Sequence, residues 1–263
     1  MTDGETLAMG LNLIIKNLFN MRFISNLIMY TAVTPLCILY VMFFFSQASY
    51  FLSAFSGDLP NGFTYADYAR KGFFELFAVA VINLLVLCFI SLFSKKAGKE
   101  KPFALKLYSV ILSIFTLILI ATAMSKMIMY IDNYGLTELR VYTSWFMVLL
   151  ALIFVLVIIK QFRYDMKFSK HLAVIFTLLF AVLCFSRPEA LIAKYNIDMY
   201  RSGHLDELDT RAILRMSDDG LLAAFNEDAI TVEEVNYNKV RIYEPHCYRR
   251  YNLSAIILDS KTE

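Results

Sequence analysis

Apolar residues in this chain come in long, nearly unbroken runs, without the alternation of strands or the one-sided stripe of soluble helices. Five runs predict membrane-spanning helices, at about 27–47, 72–93, 103–127, 140–159 and 171–185. Roughly 20 apolar residues rising about 1.5 Å each cross a hydrocarbon core, and the fifth run is near the lower limit. Pro35 falls within the first, where it removes a helix hydrogen bond and is expected to kink the helix. Membrane helices tolerate such a break when neighbours repair the backbone. Gly57-Asp58-Leu59-Pro60-Asn61-Gly62 marks a turn-rich connection before the second span. Thr64 or Asp67 is placed to cap a short helix that carries Tyr65 and Tyr68 into that span. Tyr134-Gly135-Leu136-Thr137-Glu138 reads as a compact turn. Thr137 suits the N-cap there, and Glu138 suits the positive end of the following helix.

The two ends of the chain differ from this middle. Over residues 1–22, Leu7, Leu11, Ile14, Ile15 and Leu18 recur at helical spacing opposite Asn12, Lys16 and Asn20, an amphipathic stripe suited to the headgroup plane. Residues 23–186 then form the transmembrane domain and 187–263 a polar C-terminal module. In that module, 189–200 reads as a helix stopped by Ser202-Gly203, and 205–216 as a second helix. Asp218-Asp219-Gly220 reads as a turn and 221–225 as a short helix. The alternation from Ala229 to Tyr243 fits either a strand or a frayed helix. The predicted fold class is an all-α membrane protein. It is a bundle of about five transmembrane helices with a small, mainly helical extracytoplasmic tail leaning on the outer membrane face.

Composition agrees with this class and charge orients it. The 263 residues are 59% hydrophobic with a formal net charge of +2, too small a basic excess for nucleic acid. The connections around 94–106 and 160–170 are rich in Lys and Arg, whereas 48–71 and 128–139 are nearly neutral. Basic loops stay on the cytoplasmic side. The N-terminus is therefore expected inside and the tail outside. The tail itself carries 14 Asp and Glu against 10 Lys and Arg over residues 187–263. The cysteines form no CxxC and the three histidines are scattered, so neither disulfide, metal site nor cofactor is expected.

Charge next to the membrane marks the candidate chemistry. Glu75 lies about one turn inside the second span, preceded by Arg70 and Lys71. An intramembrane carboxylate costs about 2–3 kcal/mol on insertion scales and is usually paired or functional. Lys71 and Glu75 are i,i+4 and can form an ion pair within the helix while Arg70 snorkels. Alternatively, Glu75 faces the bundle interior and takes a partner from Asp132, Glu138 or Arg140 at the same end. Asn83 lies deeper in the same span, and an Asn there usually bonds another helix. Tyr130, Tyr134, Tyr142 and Trp145 fit the aromatic belt. Arg70, Lys71, Glu75, Asn83, Asp132, Thr137 and Arg140 thus form a candidate polar site at the outer half of the bundle. There is no GxSxG, HExxH, P-loop or GxGxxG motif, no Arg ladder, and no pair of Gly-interrupted half-helices. Asn252-Leu253-Ser254 matches a glycosylation sequon, a pattern short enough to arise by chance.

Several stretches resemble the bacterial multi-spanning family DUF4153 and its relative DUF4173, both domains of unknown function. Tyr68-Ala69-Arg70-Lys71-Gly72-Phe73-Phe74-Glu75-Leu76 is similar to the family's signature. The stretch from Tyr134 to Arg140 resembles its turn before a span, and Ala193 to Tyr200 with Gly203, Leu205 and Asp206 resembles its tail motif. Tyr248 to Ser254 resembles its aromatic ending. The resemblance covers about 25–255 and implies an integral bacterial membrane protein without an assigned activity. It singles out Arg70, Glu75, Thr137, Arg140, Asn196 and Asp198, the last two as a candidate tail motif. Family members carry further spans upstream, so the resemblance implies a short or truncated member.

Three functional readings follow. The first is a non-enzymatic accessory, sensor or assembly protein of the cell envelope, seated in the lipid bilayer and binding a membrane or envelope protein at its outer face. The second is a small transporter or permease-like component with Glu75 and Asn83 lining a path. The third is a membrane enzyme acting on lipid or lipid-linked sugar, with Glu75 or Asp132 as acid or base.

Overall fold

The structure is a computed structural model and describes residues 26–46, 65–93, 103–163, 165–236 and 252–262. The amphipathic stretch 1–22, the connection 47–64 and the basic stretch 94–102 lie outside the described residues. The elements in chain order are α1 (Asn26–Ser46), α2 (Tyr65–Phe93), α3 (Phe103–Tyr134), α4 (Glu138–Phe162) and α5 (Phe168–Phe185). The tail adds α6 (Pro188–Arg201), α7 (Thr210–Ile213), α8 (Asp218–Asn226) and α9 (Leu253–Thr262). The described residues contain no strand, and four helices, α2 to α5, are long and apolar enough to cross a membrane. Tyr30–Phe45 within α1 forms a shorter apolar helix. The chain is an all-α membrane protein.

These helices extend past the predicted spans at several ends. α2 begins at Tyr65 and runs without a break into the apolar stretch, and α3 continues to Tyr134 instead of stopping near 127. α1 runs through Pro35. α3 is the centre of the bundle and packs against α1, α2 and α4, whereas α5 packs on α4.

The α2–α3 pairing follows a heptad rule hidden beneath uniform apolarity. On α2 the buried positions are Phe73, Leu76, Ala80, Asn83, Leu87 and Ile90, alternately three and four residues apart. On α3 the matching series is Leu105, Ser109, Leu112, Thr116, Leu119, Ala123 and Lys126. This spacing is that of a left-handed helix pair with interlocking side chains. In lipid the hydrophobic effect does not drive helices together, so close packing and interhelical hydrogen bonds must do so. The small and hydroxyl residues of this seam supply both. Ser109, Ser113 and Thr116 each donate their hydroxyl to the carbonyl four residues back, which satisfies it inside the helix.

The tail folds around its own core of Ile192, Ala193, Ile197, Ile213, Leu221, Leu222, Ala224, Ile230, Val235 and Leu258. Leu136 and Val141, from the α3–α4 hairpin, pack against it. α6 starts at Pro188, whose fixed φ suits a first helical position, and follows a left-handed Arg187 with φ 50°. It ends as predicted at Ser202-Gly203. Gly203 has φ 75°, its N–H bonds Tyr200 O and the His204 N–H bonds Met199 O, which is a Schellman closure. The predicted helix over 205–216 is reduced to Thr210–Ile213. Asp209 caps that helix by accepting from the Ala212 N–H at 2.9 Å, so the helix starts there and not at 205. Asp218-Asp219-Gly220, predicted as a turn, forms the first turn of α8, where carboxylates meet the positive end of the helix. Residues 232–236, within the stretch read as either strand or frayed helix, are helical; 237–251 lie outside the described residues.

Candidate functional site

The candidate polar residues separate into three groups. The first is a buried clasp across three helices. Tyr40 on α1 donates its hydroxyl to Asn83 Oδ1 at 2.5 Å. Asn83 Nδ2 donates to Thr116 Oγ1 at 2.8 Å, and Thr116 in turn donates to Leu112 O at 2.7 Å. Asn83 is fully buried. The relay gives each member a partner where an unpaired polar group would be costly. Asn83 thus ties α1, α2 and α3 together, as expected of an Asn within a span. Its partners Tyr40 and Thr116 are not marked in the sequence by any motif.

The second group surrounds Glu75. Glu75 is exposed on the flank of the α2 seam, and two of the groups proposed as its partners from the sequence, Asp132 and Arg140, are engaged elsewhere. Asp132 accepts from the Tyr195 hydroxyl at 3.4 Å. Arg140 donates Nη1 to Tyr134 O at 3.0 Å and also to Gly135 O, and its guanidinium stacks 4.0 Å above the Tyr130 ring. The Glu75 carboxylate also lies within electrostatic reach of Lys126 on α3, which is 0% exposed. Lys126 lies eight residues before the end of α3, about 12 Å below it at 1.5 Å per residue. Sequence reasoning did not single out Lys126; its register, seven residues after Leu119, is the signal that places it in the seam. Arg70 and Lys71 belong to α2, but their side chains lie outside the described residues, as does the ion pair between Lys71 and Glu75 expected from the sequence.

The third group joins the tail to the bundle. Thr137 caps α4 as predicted, accepting from the Arg140 N–H at 3.5 Å, with Glu138 in the first turn. Asn196 on α6 grips the same turn at two points: its Oδ1 accepts from the Leu136 N–H at 2.6 Å and its Nδ2 donates to Leu136 O at 2.8 Å. The side-chain amide thus completes Leu136 as a neighbouring strand would. Gly135 has φ +73°, and a Cβ there would stand 2.7 Å from Asn196 Oδ1. Burial raises the pKa of the Tyr195 hydroxyl, and the neighbouring Asp132 carboxylate raises it further by charge and hydrogen bond. Asp198 is exposed on α6. Trp145, expected in the aromatic belt, donates its indole N–H to Leu179 O of α5 at 3.0 Å and so pins that helix to α4.

Two further features lie in the tail. Arg187 bonds Asp219 at 2.8 Å and Ser254 Oγ at 2.8 Å, while Ser254 donates to Asp219. Burial opposes the Asp219 charge, but the Ser254 hydrogen bond and the Arg187 guanidinium outweigh it and hold the carboxyl below its ordinary range. A cleft of about 480 Å³ is lined by Tyr200, Arg201, Asp206, Glu207, Thr210 and Asp228 among others. Among the described residues no group of His, Cys, Asp and Glu is arranged to hold a metal.

The model of a family described as "Domain of unknown function (DUF4153)" matches residues 15–226. The chain belongs to the DUF4153 family. The match takes in the α2 signature, the turn at Gly135 and the Asn196 segment, so the DUF4153 region includes both the bundle and most of the tail core. The Tyr248–Ser254 stretch lies beyond it. No curated protein and no solved structure matches the chain.

Proposed function

We propose that this DUF4153 chain is a non-enzymatic accessory, sensor or assembly protein of a bacterial cytoplasmic membrane, whose tail docks an envelope partner. In this reading α1 is a fifth span, residues 23–186 are the membrane domain, and 187–263 form an extracytoplasmic module. The family relation extends to DUF4173. The basic connections near 94–106 and 160–170 support an inside N-terminus and an outside tail.

The observation that carries the proposal is the two-point grip of Asn196 on Leu136. It fixes the tail to the α3–α4 hairpin, so a partner seated on the tail acts directly on the bundle. Thr137 and Arg140 serve the same junction. Asn83 supports the reading too, because its hydrogen bonds are taken up within the bundle. The test is truncation after Ser186 in the native host. Unchanged membrane abundance with the growth phenotype of a deletion is the expected result. A truncated chain that still complements fully would overturn the proposal.

One observation favours the transporter-like reading as a second. Lys126 is buried in the seam and charge-coupled to Glu75, and opposite charges inside a membrane bundle often mark a pathway. That reading requires Glu75→Gln to abolish function at constant abundance, and a cysteine at position 75 to react with a water-soluble thiol reagent. An unreactive cysteine there removes it.

A further inference from the structure

We infer that α9 and the membrane-side face of α6 rest in the headgroup layer of the leaflet where α5 emerges, with Leu191, Leu253 and Ile256 inserted among the lipids. The path of α6 is the first reason. Arg187 follows two residues after Phe185, the last residue of α5, and Asn196 nine residues later holds the α3–α4 turn. Nine helical residues rise about 14 Å, and packed helices lie about 8–10 Å apart. A helix that reaches from the exit of one span to a turn joining two others runs along the membrane surface and not away from it. Leu191 and Tyr195 are i,i+4 and share a face, and Tyr195 reaches down to Asp132 near the end of α3. Leu191, 54% exposed, therefore belongs to the membrane side of α6.

The second reason is where α9 is tied. Arg187 donates to Ser254 Oγ, which draws the start of α9 beside the exit of α5. Ser254, Ala255 and Leu258 turn into the tail, leaving Leu253 and Ile256 exposed at 71% and 53%. Phe185, two residues before Arg187, is itself exposed, and α5 has no buried residue along its length, so the exit of α5 to which α9 is tied offers a surface to lipid. Lys194, exposed one turn from Leu191, provides a cation for phosphate headgroups, while Lys261 in the last turn of α9 donates to Asn226 Oδ1 within the tail. Lipid is thus the occupant this surface fits. Three aliphatic side chains make a modest, reversible seat, which suffices when the spans already hold the tail at the surface.

The test uses the full chain with Cys37, Cys88, Cys184 and Cys247 replaced by serine or alanine, reconstituted in vesicles of zwitterionic and anionic phospholipid. Leu253→Cys, Ile256→Cys and, as a control, Asp259→Cys each carry an environment-sensitive fluorophore, and nitroxide lipids labelled near the headgroup are the quencher. Quenching at 253 and 256 at least about twofold stronger than at 259 is expected from interfacial insertion. Equal quenching at all three positions overturns the proposal. So does protection of 253 and 256 from both nitroxide lipid and aqueous iodide, which would mean that protein covers them. Ile256→Glu leaves Leu258 in the core and is expected to speed proteolysis of α9 in vesicles; unchanged cleavage also counts against insertion. The readout does not depend on which side of the membrane the tail lies, so it can fail separately from the sidedness reading.

Discussion

Gly135 meets two requirements at one position. Its positive φ suits glycine, and its missing Cβ admits Asn196 Oδ1. Gly135→Ala is expected to cost about 1–2 kcal/mol for the left-handed backbone, and more for the displaced amide. A lowered thermal unfolding midpoint in detergent, with faster proteolytic release of the tail, is the measurement. Asn196→Leu should release the tail similarly while leaving the spans unchanged, since it removes both bonds to Leu136. The turn at 134–138 and its Thr137 cap were legible because turn chemistry is local. Asn196 was legible as a candidate through its motif alone; its task depends on a residue 60 positions away. Asp219 makes a pH prediction. Its folded pKa lies below the ordinary carboxylate value, so the unfolded chain takes up a proton first as pH falls. Its stabilisation is therefore complete above the ordinary carboxylate range and lost as pH falls through that range toward the lower folded value. Tail unfolding followed between neutral and acid pH should show this loss, and Asp219→Asn should flatten it.

At the scale of elements, the α2–α3 seam decides how the bundle assembles. Asn83→Leu removes the hydrogen bonds that link α2 to α1 and α3, and interhelical bonds of this kind contribute about 0.6 kcal/mol on average in membranes, up to about 1.7. A loss near or above that range in a reversible unfolding assay is expected, since the Tyr40 hydroxyl also loses its acceptor. The coupling of Lys126 to Glu75 predicts an asymmetry. Lys126→Glu should sharply reduce membrane abundance, because it buries a carboxylate in the seam within electrostatic reach of Glu75. Adding Glu75→Lys should recover most of it. Failure of the double variant to exceed Lys126→Glu alone would show that the two charges act independently. This seam was not legible as a stripe. Where lipid replaces water, the outward face is as apolar as the inward one, so no amphipathic contrast marks the buried side. What marks it is the run of small, hydroxyl and charged residues at heptad spacing.

For the whole molecule, the sidedness prediction follows from charge. Single cysteines in 94–102 should resist an impermeant thiol reagent in intact cells, and single cysteines in the tail should react. The opposite pattern would invert the topology and place the docking surface in the cytoplasm. α6 makes the tail and the bundle mechanically continuous, from Arg187 at the exit of α5 to Asn196 at the α3–α4 turn. A partner that shifts the tail therefore pulls on the hairpin whose first helix carries Lys126.

Sequence by itself determined the class of the protein: runs of about 20 apolar residues can be satisfied only by helices in lipid, because each backbone group must find its partner within the segment. It also determined the turn at Gly135, the stop at Gly203 and the cap at Thr137, which depend on neighbours a few residues away. Tertiary structure alone decided which of the polar residues meet. Asn83 with Tyr40 and Thr116, and Asn196 with Leu136, are encounters between helices distant in sequence. Their identity is set by packing register, and in a uniformly apolar bundle that register leaves only a faint trace along the chain.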